Sequence, residues 1–274
     1  MKKNFYNLFS LQGKNAIVTG GAGILGSHFC MGLADAGANV AIVDINEVRA
    51  NEIAEEIMRN YNVKAIAIKC DLTLESSVKL MVEKVVTTFG EINILHNNAA
   101  GKSSDLNQFF APLEEYSLAQ WKEIMSTNID SMFLVAKYVG KVMKLQAKGG
   151  SIIQTASIYG VMGPDNRIYE GSYYLDREIN TPAVYAASKG GVVALTKYLA
   201  TYWAKEGIRV NTITPGGTES GQNETFTERY SNRIPLGRMA KPEEIVGALI
   251  YLASDASSYV TGQNILVDGG LSAW

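Results

Sequence analysis

At 274 residues, 47% hydrophobic and 19% charged, the chain has the composition of a folded globular protein and nothing in it argues for disorder. A net charge of −2 and a pI near 5.8 lack the footprint of a nucleic-acid binder, and no apolar run is long enough for a membrane span. The opening MKKNFYNLFS holds too short an apolar region for a signal peptide, so a cytoplasmic chain is expected.

Short runs rich in Val and Ile alternate with amphipathic stretches along the whole sequence. NAIVTG (15–20) passes through a glycine cluster into a helical pattern at 24–36. ANVAIVD (38–44) is followed by a helix at 46–60, KAIAIKCD (64–71) by one at 75–89, and INILHNNA (92–99) by one at 116–145. GSIIQTAS (150–157) precedes an aperiodic stretch, 160–182, and then a helix at 183–206. IRVNTITP (208–215) precedes a second aperiodic stretch, 216–238, and a helix at 241–253, and NILVDGG (264–270) is the last run. Seven strands separated by helices predict parallel pairing with right-handed crossovers: a Rossmann-like, doubly wound α/β sheet in a single domain over 1–274. The two aperiodic stretches are expected at the carboxyl ends of strands, one as a substrate-loop insertion and the other as a lid. Cys30, Cys70, His28 and His96 are too few and too scattered for a disulfide framework or a zinc cluster, and all four are expected in the core.

The turn after the first run, TGGAGILG, spaces its glycines at Gly20, Gly23 and Gly26. Glycines there let the backbone approach a pyrophosphate, and the helix from Ile24 aims its free amides at the anion. Asp44 ends the second run, 24 residues after Gly20, where a carboxylate can hold both ribose hydroxyls and repel a 2′-phosphate. It also suits a cap for the helix beginning near Asn46, and the two roles overlap. NAD is therefore expected over NADP. Asp71 follows the third run, where an adenine ring would lie, and Asn97, Asn98 and Ala99 follow the fourth; all of these also suit turns.

YAASK at 185–189 puts Tyr185 and Lys189 on one helix face. A tyrosine becomes a usable acid/base when a neighbouring cation favours its phenolate, and Lys189 with an oxidised nicotinamide ring is such a neighbour. TGGAGILG, Asp44, CDLT, NNAA, STNID, TASIYG, YAASK, NTITPGG and ASSYVTGQNILVDGG follow in an order that resembles the short-chain dehydrogenase/reductase family from residue 13 to 270. The resemblance implies a tetrad: Tyr185 exchanges the proton, Ser157 orients the substrate oxygen, Lys189 grips the nicotinamide ribose and Asn128 holds a water in the proton relay. It also implies cofactor contacts from Gly20, Gly23, Ile24, Leu25, Asp44, Asp71, Leu72, Asn98, Ala99, Tyr185, Lys189, Pro215, Gly216, Thr218 and Ser220, and assembly as a homotetramer or homodimer.

The glycine spacing is that of the longer, two-domain branch of that family, since Ile24 stands where the single-domain branch has a glycine. Only 85 residues follow Lys189, which leaves no room for a second domain, so a single-domain enzyme with a variant turn is expected. Ala100 is a second departure. Ser157 and Tyr185 are 28 positions apart, further than in most single-domain relatives, and the extra residues are rich in Tyr, Arg and carboxylates. Such groups suit hydroxyls and an anion better than an aliphatic chain. Tyr159, Arg167 and Tyr169 are the candidate substrate residues; a solvated loop or a subunit contact is the plainer reading. The insertion and GGTESGQNETF look similar to bacterial oxidoreductases of sugar metabolism, especially the flagellin-modification type. The expected function is an NAD-dependent oxidoreductase that interconverts a secondary alcohol and a ketone on a polyhydroxylated, anionic, sugar-like molecule. The alternatives are a reductase of 3-oxoacyl or other hydrophobic ketones, and a non-catalytic dinucleotide-sensing subunit.

Overall fold

The computed structural model describes residues 5–103, 105–174 and 176–274. In chain order its elements are β1 (Asn15–Thr19), α1 (Ile24–Asp35), β2 (Asn39–Asp44), α2 (Glu47–Asn60), β3 (Ala65–Lys69), α3 (Glu75–Phe89), β4 (Ile94–Asn97) and α4 (Leu106–Phe109). Next come α5 (Leu118–Met125), α6 (Ser131–Gln146), β5 (Gly150–Thr155), β6 (Tyr173–Tyr174), β7 (Arg177–Glu178), α7 (Ala183–Tyr202), β8 (Ile208–Pro215), α8 (Glu224–Ser231), α9 (Val246–Ala253) and β9 (Asn264–Val267).

Seven of these strands form one parallel sheet in the order β3-β2-β1-β4-β5-β8-β9. The order reverses between β1 and β4, which opens a crevice at their carboxyl ends where such sheets bind ligands. The runs are apolar throughout because successive side chains face opposite layers of helix. Val18, Val40 and Ile42 pack with Phe29, Leu33, Ile53, Ile57 and Leu249 on the α1, α2 and α9 side. Ile17, Ala41 and Val43 pack with Val78, Val82, Val135, Val139 and Leu199 on the α3, α6 and α7 side. The expected single-domain, doubly wound fold is what the chain adopts. Among the described residues no helix is long and apolar enough to cross a membrane.

The helix expected over 116–145 changes its winding partway. α5 runs into a π-helical turn at Ser126–Asp130, where the Ser131 amide reaches back five residues to the Ser126 carbonyl, and then into α6. The aperiodic stretches are partly ordered by their own devices. Residues 160–182 hold a short 3₁₀ turn at Asn166–Tyr169 and the antiparallel pair β6–β7. Residues 216–238 hold α8, whose first turn is capped by the Asn223 side chain accepting from the Phe226 amide at 2.8 Å. Cys30, Cys70 and His96 are in the core, but His28 is only half-buried, because α1 turns that side of the helix away from the sheet.

Candidate active site

The first turn is shaped by close approaches that only glycine permits. Gly20 has φ +63°, and a Cβ there would lie 2.9 Å from the Ala99 Cα, so the ends of β1 and β4 touch through it. A Cβ on Gly26 would lie 1.9 Å from the Gly20 carbonyl oxygen, which seats α1 directly on the turn. Gly23 caps α1 without any side-chain bond, and the first turn of the helix borders a cavity of about 680 Å³. Thr19, which the sequence reading did not single out, fixes the opposite wall: its hydroxyl accepts from the Asn98 and Ala99 amides at 2.9 and 3.1 Å and donates to Asn97 Oδ1 at 3.2 Å.

Asp44 stands on the lip of this cavity, its two oxygens accepting from the Ala22 amide at 3.0 Å and the Asn46 amide at 2.9 Å. Asn46 itself caps α2. Gly20, Gly23, Ile24, Leu25, Asn98, Ala99, Pro215, Gly216, Thr218 and Ser220 line the same cavity with Ala22, Ala100, Lys102 and Glu219. Ile24 is 53% exposed as the first residue of α1, so the variant glycine spacing leaves the helix start in place. Asp71 and Leu72 are not part of this lining; the Asp71 carboxylate is turned onto Thr73, accepting from its amide at 2.9 Å and its hydroxyl at 2.6 Å. The residues present fit a nicotinamide dinucleotide. The glycine cradle leaves room for phosphate against backbone, and the Thr218 hydroxyl is buried in the lining with no hydrogen-bond partner among the described residues.

Ser157, Tyr185 and Lys189 meet at the inner end of the cavity, beside the carboxyl end of β5. Lys189 is 2% exposed, and its ammonium donates to the Thr155 carbonyl at 3.0 Å and lies 5.9 Å from the centre of the Tyr185 ring. Burial pushes its pKa down to about 8. Lys189 is expected to favour the Tyr185 phenolate together with an oxidised nicotinamide ring. Without that second charge burial dominates and raises the Tyr185 pKa, and the Ser157 hydroxyl, hydrogen-bonded to the phenol, opposes it. In the protein alone Tyr185 is therefore held as the phenol.

Asn128 sits in the π-helical turn and is fully buried. Its Oδ1 accepts from the Gly101 amide at 2.9 Å, and its Nδ2 donates to Ser188 Oγ at 3.4 Å. Ser188 in turn donates to the Tyr185 carbonyl at 2.9 Å. Both polar atoms of the amide are engaged, so the side chain acts as a strut between the loop after β4 and the first turns of α7.

The insertion and the lid lie against each other. The Tyr159 hydroxyl is hydrogen-bonded to Tyr169 and Tyr230, Tyr169 is hydrogen-bonded to Thr181, and the Tyr169 ring stacks on Phe226 at 5.6 Å. Burial raises the pKa of all three phenols. Arg229 of α8 donates to the Arg167 carbonyl and to Glu170, both at 2.9 Å. Arg167 itself is 79% exposed and grips Asp165, with the closest contact at 2.7 Å, and Arg233 meets the same carboxylate. Neither Tyr159, Tyr169 nor Arg167 lines the cavity that holds Tyr185. Tyr169 and Arg167 border a second cavity of about 960 Å³, between the insertion, the Phe110–Tyr116 segment and the first turn of α7. Among the described residues no group of His, Cys, Asp and Glu could hold a metal ion.

A glycine turn at the switch point of a parallel sheet, opening on a tyrosine beside a buried lysine and a serine, defines an oxidoreductase that works on CH–OH groups with a nicotinamide dinucleotide. A family model described as Enoyl-(Acyl carrier protein) reductase matches residues 21–272. The chain is 35% identical to sorbose reductase SOU1 of Candida albicans, over 98% of this chain and 91% of that one. It is also 35% identical to 2-dehydro-3-deoxy-D-gluconate 5-dehydrogenase of Escherichia coli, over 96% of each. A solved short-chain dehydrogenase from Leptospira borgpetersenii with bound NAD+ superposes with a TM-score of 0.82 at 33% identity, covering 99% of this chain and 97% of the other. The chain belongs to the short-chain dehydrogenase/reductase family.

Proposed function

We propose that this enzyme interconverts a secondary alcohol and a ketone on a polyhydroxylated, anionic, sugar-like small molecule, with NAD preferred over NADP. The observation that carries the chemistry is the convergence of the Ser157 and Tyr185 hydroxyls beside buried Lys189 at the inner end of the glycine-turn cavity. Support for the substrate class comes from the relatives named for sorbose and for a deoxygluconate, and from the phenols and hydroxyls of the insertion, of which Tyr169 is close enough to act electrostatically on Tyr185. Those groups suit a polyol better than an acyl chain.

A nicotinamide dinucleotide held by the glycine turn and Asp44 would supply the hydride chemistry. Ser157 Oγ donates to the substrate oxygen and fixes its distance from the phenol. In ketone reduction Tyr185 gives its proton to that oxygen as negative charge builds on it, and in alcohol oxidation the phenolate takes the proton back. Lys189, charged below about pH 8, stabilises the phenolate after the transfer. Asn128 keeps α7 and the loop after β4 in register with this geometry.

The NAD preference rests on Asp44, whose carboxylate would lie against a 2′-phosphate of like charge. Solved relatives hold NADP or NAD+, so the family as a whole uses either. We take the enzyme to work in the cytoplasm as a homotetramer or homodimer on a small-molecule substrate. A panel of polyols, sugar acids and acyl thioesters, read by NADH absorbance, tests the substrate class. Turnover confined to acyl thioesters would replace this function with a hydrophobic-ketone reductase.

A further inference from the structure

We infer that Lys102 is the residue that selects an anionic substrate, its ammonium meeting the carboxylate of a sugar acid held against Tyr185, an assignment that rests on the sugar-alcohol function proposed above. Four charged residues line the catalytic cavity: Asp44, Lys102, Lys189 and Glu219. Of the two cations, Lys189 is buried and committed to the Thr155 carbonyl. Lys102 is exposed, and no ion pair or hydrogen bond among the described residues engages its ammonium. Four arginines of the insertion and lid are otherwise occupied: Arg167 and Arg233 share Asp165, Arg229 holds Glu170 and Arg238 holds Glu244. Recruiting one of them to a substrate would first break a pair.

The base from which Lys102 projects is fixed. The Gly101 amide donates to Asn128 Oδ1, and a Cβ on Gly101 would lie 2.8 Å from Thr127 Cγ2, so the chain is held against the π-helical turn immediately before the lysine. The pyrophosphate of the dinucleotide is provided for elsewhere, by the glycine turn and the first turn of α1. A lone ammonium in open water attracts an anion weakly, but with dinucleotide and substrate filling the cavity the same charge acts through a lower dielectric.

The test compares kcat/KM for D-gluconate and D-glucitol, a six-carbon acid and the matching neutral polyol, in the wild type, Lys102→Gln and Lys102→Arg. NAD+ affinity is measured separately by protein fluorescence. The acid-to-polyol ratio should fall about tenfold or more in Lys102→Gln, the low end for a charge-assisted hydrogen bond, and return in Lys102→Arg. Added salt should lower the ratio in the wild type. An unchanged ratio in Lys102→Gln overturns the assignment, and so does a loss matched by the loss of NAD+ affinity, which would put Lys102 on the dinucleotide. Wild-type turnover of glucitol without gluconate overturns it too, while leaving the sugar-alcohol function standing. Inertness toward both, with activity on an acyl thioester, overturns both.

Discussion

The Lys189 ammonium donates to the carbonyl of Thr155, 3.0 Å away, and so ties the helix that carries Tyr185 to the strand end that carries Ser157. The two hydroxyls proposed to move the proton and to orient the substrate are held together by a charge that is itself out of water. Tyr185→Phe removes the proposed proton donor and keeps this tie. Turnover should fall by about 10² or more while NAD+ binding persists. Near wild-type turnover in the purified variant would exclude Tyr185 from the reaction.

Keeping that charge buried costs stability. The Lys189 pKa is about 8 in the folded protein against an ordinary 10.5, so the unfolded chain binds more protons between these values and stability rises with pH across that window. At neutral pH the charge is a burden. Lys189→Met should therefore raise the unfolding free energy by about 1–3 kcal/mol at pH 7 while abolishing turnover, with the gain shrinking as pH climbs from 8. Thermal melts of the pair across pH decide it; a lower melting temperature for the variant at pH 7 means the Thr155 hydrogen bond outweighs the desolvation.

Asp44 should give at least about tenfold preference for NAD over NADP in kcat/KM, and Asp44→Ala should relax it. Because its oxygens also hold the Ala22 and Asn46 amides, the variant should lose some stability as well. Equal use of both cofactors by the wild type would remove the assignment.

Arg167→Ala should matter little. The sequence reading puts an anion on this arginine, but its guanidinium is exposed and already paired with Asp165, and exposed pairs contribute about 1 kcal/mol or less. Losses in kcat/KM should stay within about fivefold and be equal for acid and polyol. A selective loss on the acid would restore Arg167 as the anion reader.

Arg229→Ala cuts the bonds from α8 to the Arg167 carbonyl and Glu170 and should loosen the insertion from the lid. Limited proteolysis should nick residues 160–182 faster than in the wild type. Identical nicking rates would mean that the Tyr159, Tyr169 and Tyr230 cluster holds the two segments unaided.

The sheet was readable from sequence because a strand buried on both faces is an unbroken apolar run, and Ile17 beside Val18 serves two different layers. The juxtaposition of Tyr185 and Lys189 was readable because the two are spaced by one helical turn. Pairing across the fold was not. Asp165 takes Arg233 from 68 positions away, and no local pattern announces that Arg167, Arg229, Arg233 and Arg238 are paired while Lys102 has no ion pair among the described residues. α8 was missed although Asn223 followed by Glu224, with Phe226 and Tyr230 one turn apart, is a capped amphipathic start; its eight residues were too few to show a period. The desolvation at Tyr185 was not readable, because it is set by the surrounding packing, which spacing on a helix does not report.

The π-helical turn at Ser126–Asp130 gives this stretch one residue more than a regular helix needs between the same two ends. Taking one residue out of the turn would let the wide five-residue hydrogen bond close as an ordinary four-residue one, and α6 would keep its rotation, with Val135, Ala136, Val139 and Met143 still packed against the sheet. The deletion would instead erase the bulge that carries Asn128 and with it the reach to Gly101. The helix would survive a loss that the cavity wall would not.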